Sequence, residues 1–209
     1  YVEPVGPAHF LPNNNKEFLW LAQRDGFYHI WKHNVSTKEV KQITQGKFVI
    51  TSFEGFDKKG DNIYYKSTEV SPLERHFYKH NLKNGKKVKI SKEHGTHSVM
   101  PSASGKYFID VYSSTDVARR VDLMDSHGKY IKCLHESVDP LKEYNIGTIE
   151  LGTLEAEDGQ TLYTRMIKPY NFDKSKKYPV IIYVYGGPHA QMITDEWTAG
   201  AGIYLHYLS

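Results

Sequence analysis

Cysteine is nearly absent from this sequence, because Cys133 is the only one among 209 residues. A single cysteine excludes an internal disulfide and cannot supply the thiolate ligands of a structural zinc site. The flanking residues Lys132 and Leu134 give no sign of a reactive nucleophile. We therefore expect Cys133 to be a buried structural thiol.

Long apolar runs and a concentration of one charge are also missing. No stretch approaches the roughly 20 apolar residues of a membrane span, and the first residues lack the apolar core of a signal peptide. We therefore expect a soluble segment. The 27 basic and 24 acidic residues give a net charge of +3, with the lysines scattered through turns. Without a basic stripe and stacking aromatics, nucleic acid is not an expected partner.

Aromatic residues are abundant, at 13% of the chain with 16 tyrosines, which favours pleated strands and a mostly β fold. A repeat supports this expectation. Asn15, Gly60 and Gly105 each lie in a turn that is followed by Lys or Asp and then by a strand-like run, at a spacing of 45 residues both times. Because Gly and Asn adopt positive φ at low cost, each copy predicts a tight hairpin.

Two further strands follow each hairpin. Aromatic runs at 27–34 and 76–81 both contain Lys-His-Asn, and each precedes a short lysine-rich strand, at 40–44 and 88–91. The third copy continues at 120–125 and 129–134. Four short strands in about 45 residues is the size of a β-propeller blade. Residues 1–140 are therefore predicted to form about three blades of a partial propeller, too few to close a ring.

Four histidines in these strands, at positions 29, 33, 76 and 80, raise the question of a metal site. His33 and His80 are equivalent positions of the repeat, so they belong to different blades, and no acidic residue accompanies them. Packing within or between blades is the better explanation. No metal and no cofactor is predicted.

The pattern changes after residue 140. Alternating apolar runs at 149–154 and 162–167 flank Asp158-Gly159, which predicts a hairpin. Residues 178–185 are apolar at nearly every position, which is typical of a strand inside a sheet that is covered on both faces, as in α/β folds. A helix is expected near 204–208. Residues 141–209 are thus predicted to be a second domain of α/β type.

Four segments carry a family resemblance: Asp-Gly-Phe-Tyr-His-Ile-Trp from Asp25, Gln-Ile-Thr-Gln-Gly from Gln42, Asn-Phe-Asp-Lys-Ser-Lys-Lys-Tyr-Pro-Val from Asn171, and Tyr-Val-Tyr-Gly-Gly-Pro-His-Ala-Gln from Tyr183. Together they resemble the dipeptidyl peptidase IV family of the prolyl oligopeptidase clan of serine peptidases. The resemblance implies the C-terminal blades of a β-propeller at 1–140 and the first strands of an α/β-hydrolase domain at 141–209. It also implies an enzyme that releases Xaa-Pro or Xaa-Ala dipeptides from peptides with a free N-terminus, through a serine acyl-enzyme.

The resemblance assigns one catalytic residue to this chain. In the family, the tyrosine before the glycine pair donates a hydrogen bond to the tetrahedral oxyanion, and the matching residue is Tyr185. A phenol can act as such a donor, and Gly186 and Gly187 let the backbone turn sharply beside it. His189 follows Gly-Gly-Pro, but family members vary there, and we interpret it as part of the loop.

Other parts of a serine peptidase site are missing from the sequence. No Gly-x-Ser-x-Gly elbow occurs, and Ser102 and Ser104 lie in a repeat turn. The adjacent Glu-Glu that binds the substrate amine in the family is also absent. The isolated chain, ending before the catalytic serine, is expected to be inactive. A non-catalytic propeller that binds a partner stays open as the alternative, as does homodimer formation, and the bacterial periplasm and the extracellular space are the candidate compartments.

Overall fold

The computed structural model describes residues 6–187, 190–199 and 202–209. Three four-stranded antiparallel sheets follow one another along the chain. The first sheet contains β1 (His9–Phe10), β2 (Glu17–Gln23), β3 (Tyr28–Asn34) and β4 (Val40–Gln42). The second contains β5 (Ile50–Phe56), β6 (Asn62–Ser67), β7 (His76–Asn81) and β8 (Lys87–Lys89). The third contains β9 (Thr96–Pro101), β10 (Tyr107–Ser113), β11 (Arg120–Asp125) and β12 (Tyr130–Glu136).

In each sheet the strands lie side by side in chain order, so every connection is a hairpin. The prediction of four strands per repeat is confirmed, and the architecture is that of propeller blades. A two-stranded hairpin of β13 (Ile149–Glu155) and β14 (Thr161–Ile167) comes next, and the helix α1 (Ile203–Leu208) follows, both as predicted. Among the described residues, no helix has the length and apolar character needed to cross a bilayer.

The repeated turns form as the 45-residue spacing predicts, with one difference. Gly60 and Gly105 have φ values of 75° and 67°, and their N–H groups donate to Asp57 and Ser102 at 3.0 and 2.9 Å. In the first copy the positive φ, 60°, lies at Asn13 and not at Asn15. Asn is the non-glycine residue type that tolerates this region well, so a run of three asparagines left the exact position open.

The middle sheet is buried on both faces. Successive side chains of a strand point to opposite faces, and in β6 Ile63 and Tyr65 pack against the first sheet while Tyr64 packs against the third. In β7, Tyr78 faces the first sheet and Phe77 the third. All five are at most 4% exposed. Burial of one such side chain contributes about 1.5–3 kcal/mol, so these two seams hold the three sheets together.

In two sheets, a hydroxyl just after the last strand bridges a buried histidine and the backbone. Ser91 Oγ accepts the Phe77 N–H at 2.9 Å and lies 3.0 Å from Nδ1 of His76. In the first sheet, Thr44 Oγ1 accepts the Ile30 N–H and lies within hydrogen-bond distance of Nδ1 of His29. Because the hydroxyl oxygen accepts from the backbone, its proton is free to donate to Nδ1, and Nε2 then carries the hydrogen. That nitrogen donates to the Glu74 carboxylate in one case and to a backbone carbonyl in the other.

The structure supports packing as the role of the four histidines. His29 and His76 are fully buried, His33 stacks on Phe18 with ring centroids 4.9 Å apart, and His80 lies against Tyr65. No group of three or more potential ligands that could hold a metal ion is present in the ranges that the structure describes.

Two expectations from the sequence are wrong. Cys133 is half-buried and not fully buried, because it lies on β12, the last strand of the third sheet, and no described segment lies beyond this strand. Residues 178–185 are not a strand. A central strand needs hydrogen-bonded neighbours and layers on both faces, and the described part of the chain supplies neither, so Val180 and Ile182 are 81% and 80% exposed.

The serine bridge of the second sheet gives a test of the packing. Ser91→Ala should destabilise the fold by about 1–3 kcal/mol, since it leaves Nδ1 of His76 and the Phe77 N–H buried without a partner. Urea unfolding measures the change. Ser36→Ala, in an exposed turn, is the control and should change stability by at most about 0.5 kcal/mol. Equal effects of the two substitutions would contradict the bridge.

The buried His76 should make stability depend on pH. Burial lowers its pKa, and this effect outweighs the Glu74 carboxylate, which lies 2.8 Å from Nε2 and acts in the opposite direction. The unfolded chain takes up a proton near the ordinary pKa of about 6.5, whereas the folded chain does so only at lower pH. Protonation therefore favours the unfolded state, and the free energy of unfolding should fall as the pH decreases below about 6.5.

Urea unfolding between neutral pH and about pH 5 measures this loss. His76→Gln should flatten the pH dependence, because the group that titrates is removed. His127→Gln changes an exposed histidine and should leave the slope as it is. An unchanged slope in His76→Gln would show that other groups cause the acid sensitivity.

Candidate active site

Tyr185 lies at the end of the extended apolar run that follows the β13–β14 hairpin. Tyr185 is 47% exposed. The side chain packs over the backbone of Gly187, where an added Cβ would lie only 3.1 Å from two ring carbons and from the hydroxyl oxygen of Tyr185. Glycine at this position therefore permits the close approach of the tyrosine ring. Pro188 and His189 lie outside the described residues.

After Tyr185 and its two glycines the chain packs against the second and third sheets. We call residues 190–199 the docking segment. Its central contact is Asp195, which is 6% exposed. The Asp195 N–H donates to the Leu73 carbonyl at 2.8 Å, and its carbonyl accepts from the Thr96 hydroxyl at 3.2 Å.

The Asp195 carboxylate makes two more hydrogen bonds. Oδ1 accepts from the Thr115 N–H at 2.8 Å, and Oδ2 lies 2.8 Å from Nδ1 of His94. A buried carboxylate is tolerated only when it is paired and hydrogen-bonded, and Asp195 satisfies this condition. Charge-assisted hydrogen bonds of this kind are the stronger ones in proteins.

His94 responds electrostatically to this arrangement. The hydrogen bond that His94 donates to the Asp195 carboxylate is the main cause that raises the pKa of His94, and the nearby charges of Asp116 and Glu74 act in the same direction. Asp116 lies 3.4 Å from Nε2 of His94 on its exposed side. The neighbouring Gly95 has a φ of 118°, and a Cβ there would lie 2.2 Å from the Ser113 carbonyl oxygen, so no larger residue fits.

Gln191 attaches the N-terminal end of the docking segment. Its side-chain amide donates to the Pro72 carbonyl at 2.8 Å, and its oxygen accepts from the guanidinium of Arg75. In the C-terminal half of the docking segment, the Glu196 carbonyl accepts from Arg165 of β14 at 2.9 Å. The docking segment thus links the β13–β14 hairpin to the propeller sheets.

The serines that the sequence analysis considered are not part of this region. Ser102 and Ser104 lie in the β9–β10 turn, with their hydroxyls 3.2 Å apart, and Ser102 Oγ accepts the Tyr107 N–H. Their bonds are those of a tight turn, as the repeat predicts.

Cleft volume does not identify the site. A cleft of about 470 Å³ lies at the first hairpin turn, between Phe10 and Asn15, and is wide open to solvent. A second, of about 270 Å³, is lined by Glu17 and Lys32, which form an ion pair at 2.8 Å. Tyr185 lines neither cleft, so its interpretation as the candidate oxyanion donor rests on the chemistry of the phenol and on the residues around it.

The packing of the docking segment against the sheets was not predicted from the sequence. The contacts of Asp195 reach back 80 to 101 residues, to Thr115 and His94. A hydrogen bond across such a separation leaves no periodic pattern in the sequence. The single local signal is His94-Gly95 after the second sheet, where a glycine follows a histidine outside any predicted hairpin.

Comparison with known proteins places these features in a family. Residues 1–119 match the family model described as the dipeptidyl peptidase IV N-terminal region. A crystal structure from Bacteroides ovatus, assigned to dipeptidyl aminopeptidase IV, matches 100% of this chain and 32% of its own, with a TM-score of 0.89 and 35% identity. The crystal structure of Porphyromonas gingivalis dipeptidyl peptidase 4 matches 96% of this chain and 28% of its own, with a TM-score of 0.83 and 30% identity.

A curated relative from Neosartorya fischeri, named as a probable dipeptidyl peptidase 4, is 28% identical over 205 residues and covers 95% of this chain. This chain covers 26% of that relative. It therefore spans about a quarter of the length of the curated relatives that it matches.

Proposed function

This chain belongs to the dipeptidyl peptidase IV family, and we propose that it is part of a serine-type dipeptidyl peptidase that releases Xaa-Pro or Xaa-Ala from peptides with a free N-terminus. The observation that carries the proposal is the match of the whole chain to a solved structure of this family at 35% identity. Tyr185 and its glycine pair lie within the matched region.

The domain division is part of the same proposal. Residues 1–140 would be the closing blades of the propeller, and residues 141–209 the start of an α/β-hydrolase domain. The exposed apolar run at 178–185 supports this, because the five neighbouring large apolar side chains before Tyr185 are between 52% and 81% exposed, which favours a segment that is covered in the whole enzyme; they are Val180, Ile181, Ile182, Tyr183 and Val184.

Tyr185 would act on the transition state of acylation. When a serine attacks the scissile carbonyl, negative charge moves to the carbonyl oxygen, and the Tyr185 hydroxyl donates a hydrogen bond to it. Such a donor stabilises the transition state more than the substrate, because the charge is present only there. The exposed position of Tyr185 leaves room for a peptide carbonyl to approach.

Tyr185→Phe in the full-length enzyme should lower kcat by roughly 10²–10³ and leave the fold unchanged, because only the donor is removed. Steady-state hydrolysis of a Gly-Pro arylamide measures the effect. Tyr183→Phe removes a hydroxyl two residues earlier on the same run, and its kcat should stay close to that of the unchanged enzyme. If kcat survives Tyr185→Phe, the oxyanion assignment is wrong.

The chain of residues 1–209 alone should not hydrolyse Gly-Pro or Ala-Pro arylamides, since its sequence contains no Gly-x-Ser-x-Gly elbow to supply the nucleophile. Purified chain is incubated with each substrate, with and without a serine-directed inhibitor. Turnover that the inhibitor abolishes would mean that another serine acts as the nucleophile.

A further inference from the structure

We propose that Asp195 is a positioning residue for Tyr185: its buried contacts with the propeller fix the docking segment and thereby the orientation of the oxyanion donor. The inference rests on the proposed function, since it concerns the same tyrosine. It assigns a catalytic contribution to propeller residues that do not touch the substrate.

The first argument is the completeness of the contacts. Every polar group of Asp195 is used: its N–H, its carbonyl and both carboxylate oxygens. The distances are 2.8 Å for three of these bonds and 3.2 Å for the fourth. A buried residue held at four points cannot shift without breaking charge-assisted hydrogen bonds. Asp195 is thus a fixed point for the chain around it.

The second argument is where the partners come from. Leu73 lies in the β6–β7 connection of the second sheet. His94 and Thr96 lie at the start of the third sheet, and Thr115 follows β10. Three separate connections therefore hold one side chain and its backbone. Because these connections join strands whose side chains form the two buried seams, the anchor is attached to the rigid part of the molecule.

The third argument is the flexibility that the anchor opposes. Tyr185 is followed by Gly186 and Gly187, and glycine allows more backbone conformations than any other residue. An oxyanion donor contributes most when it is preorganised, and misplacement by about 1 Å can cost roughly 100-fold in rate. Two glycines beside the donor work against this, and Asp195 fixes the chain ten residues after Tyr185. Gln191, bound to Pro72, is a second fixed point, six residues after Tyr185.

The test is a double-mutant cycle in the full-length enzyme, with a Gly-Pro arylamide as substrate. Asp195→Ala is made with Tyr185 intact and in the Tyr185→Phe background. With Tyr185 intact, kcat should fall roughly 10- to 100-fold while KM changes little, because the lost interaction acts only in the transition state. In the Tyr185→Phe background the same substitution should cost about twofold or less, because the donor it positions is gone.

Asp195→Asn is the second variant, and it serves if the alanine variant does not fold. The amide oxygen can still accept the Thr115 N–H, while the charge opposite His94 is lost. Its kcat should fall less than that of Asp195→Ala, again only with Tyr185 intact. Asp116→Asn is the comparison variant: it removes the other carboxylate near His94, which lies 3.4 Å from Nε2, but it keeps all four hydrogen bonds of Asp195, so kcat should fall less than in Asp195→Asn.

The outcomes separate the two claims. If Tyr185→Phe lowers kcat but the Asp195 substitutions cost the same factor in both backgrounds, or raise KM alone, the positioning role is wrong and the proposed function stands. If Tyr185→Phe has no effect on kcat, the oxyanion assignment itself fails. An Asp116→Asn loss equal to that of Asp195→Asn would also overturn the inference, because the effect would then come from His94 and not from the docking segment.

Discussion

The fold depends on one constraint: the second sheet must be covered on both faces. In β6, Tyr64 faces the third sheet while Ile63 and Tyr65 face the first, and β7 repeats this division with Phe77 and Tyr78. A strand that is apolar on both faces cannot stand at a protein surface, so each sheet must hold its neighbour. The second sheet therefore lies between the first and the third, and the connections between the sheets are held in place.

Those connections determine what happens further along the chain. Because the β6–β7, β8–β9 and β10–β11 connections are held by the buried seams, they offer backbone and side-chain groups in fixed places, and Asp195 binds all three. The segment after Tyr185 is therefore held by the propeller sheets and not by its own secondary structure. In this arrangement, residues of the second and third sheets hold the chain at Asp195, ten residues after Tyr185, although they are distant from it in sequence.

Local features of the fold were predictable, and features that need a distant partner were not. The three hairpins follow from Gly or Asn at a constant spacing and from alternating strands, both of which are short-range. Asn13 replaced Asn15 as the residue with positive φ because neighbouring asparagines are equally able to adopt it. The burial of Cys133 and the strand at 178–185 were predicted wrongly. Both depend on which other segments pack beside these residues, and composition does not specify such neighbours.

The sequence by itself determined the repeat and the mostly β character, because both are written in residue types at short spacing. Its family resemblance implied Tyr185 as the candidate donor. Only the tertiary structure decided that the middle sheet is buried twice, that His76 and His29 are bridged by hydroxyls, and that Asp195 joins the docking segment to the propeller. The reason is physical: a carboxylate becomes an anchor only when water is removed from it and donors surround it. The donors to the Asp195 carboxylate come from residues 80 and 101 positions earlier in the chain, which only folding brings together.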